Sequence, residues 1–459
     1  MTCKIYQVLV AACAVALANQ VAGLAVSGGK TKPTLDPMRI PKLPAFAGVT
    51  LSGMDFGSNL TSNPGPQDGG EGLTKPKDPK PSSNGDPFTL PDYDQAIHYL
   101  EDRDVSLLKL PIAWETLQHN ITQLEVYTDV VATVTSRKAQ AIVSLSMSSV
   151  QFANFTSNVT ESKGGPLRRD AASATFVELW GKLAKHFQHD RRVIFHLMAI
   201  PIGGALPRNW NQTIQAAVTA IRKNGARNAI VLPSFGASNG TTFNTFRDFP
   251  KDFERMQHIK NPDGTTDGIV FDVSQTIGPK SPNSQRCQGI DVSNIVEPVV
   301  KLLKENERQA IIGTLAAGSD PSCTESLVKF AKEANKVRLE LAGAQYVPPH
   351  SSLLWFLCKQ SYPALAGFVM YGAGAFNQVS KRITWRLTRN PYEYALTFLP
   401  DLQSSPWTLV KEGQSDSSHC SEEWVDQPNF ASVQPYFPKK ANDEFTAEKS
   451  TSLANYDLL

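Results

Sequence analysis

The chain has 459 residues, of which 41% are hydrophobic and 19% are charged, and its formal net charge is +2. This length and hydrophobic content can bury the core of one large domain or of two ordinary ones. The near-neutral charge, without a basic block in the sequence, argues against a nucleic-acid partner.

The N-terminus has the features of a secretory signal peptide. Lys4 precedes an apolar segment over residues 8–18, and Ala16 and Ala18 provide the small residues of a cleavage site. We therefore predict that residues 1–22 are a signal peptide and that the protein is secreted and extracellular. No other stretch is long and apolar enough to span a bilayer, so we expect no membrane span.

The cysteines and sequons fit an extracellular protein. Removal of the signal peptide leaves Cys287, Cys323, Cys358 and Cys420, an even number that suits an oxidising compartment. Four cysteines allow three pairings, among which the sequence does not choose. Six N-x-S/T sequons predict glycosylation, at Asn59, Asn120, Asn154, Asn158, Asn211 and Asn239.

Helical and strand patterns alternate along most of the chain. Residues 23–45 are rich in Lys, Pro and Gly and are predicted to be a linker, and residues 57–87 a long loop. The predicted strands begin near residues 46, 105, 141, 193, 229, 268, 309 and 366. The predicted helices between them are Asp92–Asp102, Leu124–Ser136, Ala171–His189, Asn211–Asn224, Ser293–Lys304 and Thr324–Ala334, with Ser293 as an N-cap and residues 235–265 irregular.

Eight strands alternating with helices predict a single (β/α)₈ barrel over residues 46–390. A doubly wound open sheet is the structural alternative, but no G-x-G-x-x-G motif follows the first strand to favour it. Residues 391–459 are rich in Ser, Asp, Glu and Lys. We predict that they form a polar, largely disordered C-terminal extension.

Several segments, taken in order, resemble the fungal-type endo-β-1,4-glucanases (cellulases) of glycoside hydrolase family 5. The first is FAGVTLSGMDFG at Phe46–Gly57, and the fourth strand reads RVIFHLMAIP at Arg192–Pro201. The other segments that carry the resemblance are 107–117, 216–225, 261–273, 308–323 and 367–376. The resemblance covers residues 46–378 and implies a (β/α)₈ fold and an origin in β-glucan hydrolysis.

The resemblance also implies where the catalytic residues belong. The family uses two carboxylates, an acid/base and a nucleophile, about 5 Å apart. The acid/base position is Ile200 and the nucleophile position is Thr314, and neither side chain can take that role. The supporting positions of the cleft are changed as well, to Lys109, Ser146, Met147, Ala199, Ser274, Thr276 and Tyr371.

These losses predict a catalytically degenerate barrel that binds a glycan or a protein. Its partner would be a β-glucan, another cell-wall polysaccharide, or a protein. A structural role in a wall or matrix is a second possibility. The third is an active endoglucanase-type glycosidase with a rearranged site, for which Asp55, Glu115 and Asp272 are the candidate carboxylates. The simpler interpretation is that Asp55 and Glu115 form hydrogen bonds in loops and that Asp272 is a packed structural carboxylate.

No metal or cofactor is expected. His98, His186, His189 and His196 lack the H-E-x-x-H and H-x-x-E-H spacings of zinc sites and are interpreted as surface or packed residues. Related family enzymes carry a disulfide between the loop after the sixth strand and the segment after the seventh. The resemblance therefore implies Cys287–Cys323, and leaves Cys358 and Cys420 as a weaker candidate pair.

Overall fold

A computed structural model describes most of the predicted barrel and three segments near the C-terminus. The described residues, all within the unit Ile40–Leu459, are 40, 42–52, 93–103, 105–113, 117, 123–146, 167–198, 210–233, 246–277, 286–287, 291–317, 320–341, 364–374, 407–411, 422–426 and 428–437. The predicted signal peptide, residues 1–22, and linker, residues 23–45, lie wholly or largely outside them.

Eight strands form a closed parallel barrel in sequence order, which confirms the predicted fold class. They are β1 (Phe46–Ser52), β2 (Leu107–Ala113), β3 (Gln140–Ser146), β4 (Val193–His196), β5 (Ile230–Leu232), β6 (Ile269–Ile277), β7 (Gln309–Ala317) and β8 (Leu365–Gly374). The barrel closes where Phe46 of β1 pairs with Gly367 of β8.

A helix follows each of the first seven strands. These helices are α1 (Tyr93–Asp102), α2 (Gln123–Thr135), α3 (Leu167–Phe187), α4 (Trp210–Lys223), α5 (Phe249–Met256), α6 (Val292–Glu305) and α7 (Pro321–Leu341). Two sequence predictions need correction. Residues 235–265, predicted to be irregular, contain α5, and the N-cap of α6 is Asp291 rather than Ser293, because the Asp291 side chain accepts from the Asn294 N–H.

Apolar side chains pack on both faces of the barrel sheet, inside the barrel and between the strands and the helices. Strands in an all-parallel barrel are covered on both faces, so their sequences are nearly continuous apolar runs. The interior contains a buried cluster to which every barrel strand contributes: Phe46, Leu107, Ile142, Ile194, Val231, Val270, Ile311, Ala366 and Val369, joined by Leu43 and Ala229. A second, larger cluster lies between the strands and the surrounding helices.

Part of the C-terminal extension packs on the barrel. β9 (Trp407–Lys411) and β10 (Glu422–Asp426) pair antiparallel, and α8 (Pro428–Val433) continues into a 3₁₀ turn, Gln434–Tyr436. Val433 is fully buried, and the Phe437 ring contacts Phe368 of β8 at a centroid distance of 5.6 Å. The predicted disorder therefore does not extend to these segments. Among the described helices, none is long and apolar enough to cross a membrane.

Candidate functional site

A polar layer lies directly above the apolar cluster inside the barrel. Residues two positions apart on a strand point to the same face of the sheet. Inward-facing positions therefore also lie two residues after each of Leu107, Ile142, Ile194, Val270 and Ile311. These positions are Lys109, Ser144, His196, Asp272 and Gly313. All four polar side chains of this layer are buried, with at most 6% of their surface exposed. The layer thus brings a cation, a carboxylate, an imidazole and a hydroxyl together from four strands.

One peptide group of β7 connects the two charges of this layer. The Gly313 N–H donates to Asp272 Oδ1 at 2.9 Å, and the Lys109 Nζ donates to the Gly313 carbonyl oxygen at 3.0 Å. Because both contacts are buried and involve a full charge, they belong to the stronger class of hydrogen bonds. They hold β2, β6 and β7 together across the barrel.

His196 extends the network to β3. Its Nδ1 lies 3.0 Å from Ser144 Oγ, and its Nε2 lies 3.4 Å from Asp272 Oδ2, which is long for a hydrogen bond. Burial lowers the pKa of His196 below its ordinary value of 6.5, and the positive charge of Lys109 lowers this pKa further. The nearby negative charge of Asp272 opposes the shift, but burial is the largest cause.

The Ser144–His196–Asp272 arrangement is not an exposed hydrolytic triad. Nucleophilic catalysis requires the serine hydroxyl to reach a substrate carbon. Ser144 and His196 have no exposed surface, and the apolar cluster lies beneath them. In serine hydrolases the histidine Nδ1 faces the carboxylate and its Nε2 faces the serine. In this protein Nδ1 faces Ser144 and Nε2 faces Asp272. The network is therefore a structural element of the barrel interior.

The structure places three of the predicted cleft positions. Lys109 belongs to the buried polar layer, with 4% of its surface exposed. Ser274 of β6 is also buried and is the register partner of Thr314 on β7, immediately after an irregularity at Val273–Ser274. Thr314 is half-buried. The predicted nucleophile position, Thr314, therefore lies beside Ser274 and directly after the Gly313 peptide group that Lys109 and Asp272 bind.

The other predicted site residues lie outside the described residues or are described only as strand positions. Ala199, Ile200 and Met147 lie outside the described residues, and for Ser146, Thr276 and Tyr371 only the strand positions on β3, β6 and β8 are described. The alternative carboxylates Asp55 and Glu115 also lie outside. Of the predicted glycosylation sites only Asn211 is described, and it is exposed in the first turn of α4, whereas Asn59, Asn120, Asn154, Asn158 and Asn239 lie outside.

The predicted disulfide is present. Cys287, in the loop after β6, is bonded to Cys323 in the first turn of α7, and Ser322 Oγ accepts from the Cys287 N–H at 2.9 Å. The bridge fixes that loop next to the carboxyl end of β7. Cys358 and Cys420 lie outside the described residues. In the described part of the chain, no group of three or more His, Cys, Asp or Glu side chains could hold a metal ion.

Sequence reasoning identified Lys109 and Asp272 but not their connection. The sequence predicts that His196 is either a surface or a packed residue, and in the structure it is packed. The sequence gives no indication that Ser144 contacts His196. A signal was available, because each polar residue of the layer lies two positions after an apolar one on its strand. The missing information was the shear of the barrel, which decides which strand positions share a layer.

Comparisons with known proteins agree with this architecture. The profile of the family Cellulase (glycosyl hydrolase family 5) matches residues 80–347. The chain is 25% identical to endoglucanase EG-II of Hypocrea jecorina over 374 residues, which cover 79% of this chain and 75% of the relative. It is 26% identical to endoglucanase 1 of Saitozyma flava over 345 residues, 73% of this chain and 83% of that protein.

A solved structure shows the same fold. The crystal structure of Cel5A (EG2) from Hypocrea jecorina superimposes with a TM-score of 0.54 at 23% sequence identity, over 86% of this chain and 99% of that one. The family profile spans more than half of the chain, and the barrel provides the fold that such a match requires. The chain therefore belongs to glycosyl hydrolase family 5, the cellulase family.

Proposed function

We propose that this protein is a secreted member of family 5 that has lost the hydrolytic reaction and binds a glycan or a protein through its barrel. One observation carries the proposal. Asp272 is the single carboxylate within the eight barrel strands as bounded above, and its Oδ1 is occupied by the Gly313 N–H. The family reaction needs two carboxylates that face each other across the cleft.

The family positions for those carboxylates support the same conclusion. Ile200 has no proton to give to a leaving oxygen, and the Thr314 hydroxyl would need a general base before it could attack a sugar. General acid–base catalysis alone contributes about 10²–10⁴-fold in rate. Without both groups, the family route to hydrolysis is closed.

The surroundings of the cleft support it further. Lys109 binds the Gly313 carbonyl oxygen, and a lysine presents a point charge rather than the bidentate fork of an arginine. Ala199, Ser146, Met147, Ser274, Thr276 and Tyr371 replace the other family site residues. A carboxylate restored at position 314 would lack the partners that orient it.

The relatives suggest the class of ligand and the compartment. Two of them are endoglucanases by name, so a β-glucan or a related wall polysaccharide is the first ligand to test. Secretion is supported by the signal-peptide pattern over residues 1–22 and by the Cys287–Cys323 disulfide, which suits an oxidising compartment. Exposed Asn211 provides an accessible position for a glycan. The domain proposed to bind the ligand comprises residues 46–390, and residues 391–459 are proposed to be an extension.

Reducing-sugar release from carboxymethylcellulose and cello-oligosaccharides tests the proposal. We expect no release by the full chain above that of an Ile200→Ala/Thr314→Ala control. Restoration with Ile200→Glu/Thr314→Glu should not return full activity, because the supporting residues are absent. A glycan array and titration with cellopentaose then measure binding. Turnover by the parent that the control loses would contradict the proposal, and equal sustained turnover in both would indicate a relocated site.

A further inference from the structure

The amino-terminal end of the barrel, opposite the cleft, brings three basic loops together. These loops, which we name the basic rim, are residues 136–139 after α2, 188–192 after α3 and 222–229 at the end of α4. They lead into the neighbouring strands β3, β4 and β5. The Ala141 N–H donates to the Arg192 carbonyl oxygen at 3.0 Å, and Asn228 Nδ2 donates to the Asp190 carbonyl oxygen at 2.7 Å, so the loops adjoin.

The charges of the basic rim are strongly unbalanced. Its cations are Arg137, Lys138, Arg191, Arg192, Arg222, Lys223 and Arg227. Its one acidic residue is Asp190, whose Oδ1 accepts from the Arg192 N–H. The whole chain carries a net charge of only +2. Within these three loops positive charges therefore outnumber negative ones, although Glu101 and Asp263 lie next to them.

Some cations of the basic rim contact other residues of the protein, and others have no acidic partner among the described residues. Arg137 pairs with Glu101 at 2.9 Å, and Arg222 donates to Asn261 and to the carbonyl oxygens of Ala226 and Asn228. In contrast, no ion pair is found for exposed Arg191, exposed Lys223 or half-buried Arg192 in the described part of the chain.

Like charges are close together in the basic rim. Burial lowers the pKa of Arg222 to about 10, Asp263 opposes that shift, and the positive charge of Arg191 lowers the pKa further. The charge of Arg191 in the α3–β4 loop thus repels that of Arg222 at the end of α4, while Asp263 exerts the larger, attractive effect on Arg222. A bound polyanion would relieve this repulsion.

We propose that the basic rim binds an acidic polysaccharide, a polymer whose carboxylates recur along the chain. The loops contain no Phe, Tyr or Trp, so they lack the aromatic side chains on which single-stranded nucleic acids stack. Their guanidinium groups match carboxylate geometry. The rim lies at the opposite end of the barrel from Thr314, so its ligand is independent of any glycan held in the cleft.

Binding of this kind is electrostatic and depends on salt. A polyanion releases its condensed counterions when cations of the protein replace them, and exposed charges are screened over about 8 Å at 0.15 M salt. We expect the affinity for polygalacturonate to fall steeply between 20 and 150 mM NaCl. Uncharged hydroxyethylcellulose should not compete for the rim.

The test compares two variants of the full chain with the same change in net charge. Arg191→Glu/Lys223→Glu reverses two positive charges of the basic rim. Lys251→Glu/Lys329→Glu, the control, reverses the charges of two exposed lysines on α5 and α7. Binding of fluorescently labelled polygalacturonate is measured by anisotropy, and circular dichroism verifies folding. We expect the rim variant to bind at least about ten-fold more weakly at low salt and the control variant to stay within about two-fold of the parent.

Three outcomes would overturn the proposal. The first is no binding of polygalacturonate by the parent at 20 mM NaCl. The second is an equal loss of affinity in both variants, which would show a response to net charge only. The third is binding of poly(U) RNA as tightly as polygalacturonate, which would reject the assignment to a polysaccharide. Cellopentaose binding should be the same in the parent and the rim variant, because the cleft is unchanged.

Discussion

The charged side chains inside the barrel depend on one another. Burial costs an ion several kcal/mol of hydration, and Lys109 and Asp272 offset part of this cost by binding the two ends of the Gly313 peptide group. Position 313 must be glycine, because a Cβ there would overlap the Asp272 carboxylate. The contacts of Lys109 and Asp272 with the Gly313 peptide group thus stabilise the barrel.

A double-mutant cycle tests this coupling. Lys109→Met should lower the free energy of unfolding by about 3 kcal/mol, because it leaves the Gly313 carbonyl oxygen unpaired and Asp272 without its nearby cation. Asp272→Asn keeps the shape and should cost less when Lys109 is already Met than in the parent. The coupling free energy from urea unfolding is expected to be about 1–3 kcal/mol.

The control for this cycle is an ion pair on the surface. Glu178 and Lys182 lie 2.8 Å apart on the outside of α3, with 65% and 59% of their side chains exposed. Glu178→Gln should change stability by no more than about 0.5 kcal/mol. Effects of Lys109→Met and Asp272→Asn that add within about 0.5 kcal/mol would contradict the coupling.

At the level of the elements, periodicity predicted most of the barrel. The predicted strand starts near 105, 193 and 309 lie within two residues of β2, β4 and β7. α5 was missed because it is short and lies among Asn, Gly, Thr and Pro residues. Its buried Phe249, Phe253 and Met256 nevertheless have helical spacing. The packing of the C-terminal segment could not be predicted, because α8 contacts α7 and Phe437 contacts β8, and both contacts join distant parts of the chain.

α8 contacts the elements that border the eighth helix position of a (β/α)₈ barrel. It packs on α7, the following Gln434 side chain donates to the Arg103 carbonyl oxygen just after α1, and Phe437 contacts β8. Lys332 of α7 lies 5.3 Å from the ring centre of Tyr436. The C-terminal extension therefore covers barrel surface between α7 and α1.

Truncation of a single side chain tests the contribution of α8. Val433 is fully buried, so Val433→Ala removes two methyl groups from the core and should lower the free energy of unfolding by about 1.5–2.5 kcal/mol. Ala431→Ser, at an exposed position of the same helix, should change it by less than about 0.5 kcal/mol. Urea unfolding of both variants measures the difference. An unchanged midpoint for Val433→Ala would show that α8 does not stabilise the barrel.

At the scale of the whole molecule, net charge can be read from the sequence, but the distribution of charge over the folded surface cannot. A net charge of +2 without a basic block argues against a nucleic-acid partner. The three loops of the basic rim are separated in sequence by whole helices and strands, and only the order of strands in the closed barrel makes them neighbours. The same closure brings Lys109 of β2 to Gly313 of β7 across the interior. Both features depend on tertiary contacts that local patterns do not encode.

The pH dependence of global stability follows from buried His196 and half-buried His186. Burial lowers the pKa of His196 and of His186 in the folded state below the ordinary value of 6.5. Below pH 6.5 the unfolded chain therefore binds protons that the folded chain does not. By linkage, the free energy of unfolding falls as the pH decreases from about 6.5 toward the lowered pKa values. The stabilisation is fully present above pH 6.5.

The test is a series of urea unfolding curves between pH 7.5 and 5. Each histidine that stays neutral in the folded state contributes a slope of up to about 1.4 kcal/mol per pH unit within this window. His196→Gln keeps a polar side chain between Ser144 and Asp272 but cannot titrate, so the slope should decrease. It should not vanish, because His186 acts in the same direction. An identical slope in parent and variant would mean that His196 binds its proton equally in the folded and unfolded chains, with Asp272 offsetting the cost of burial.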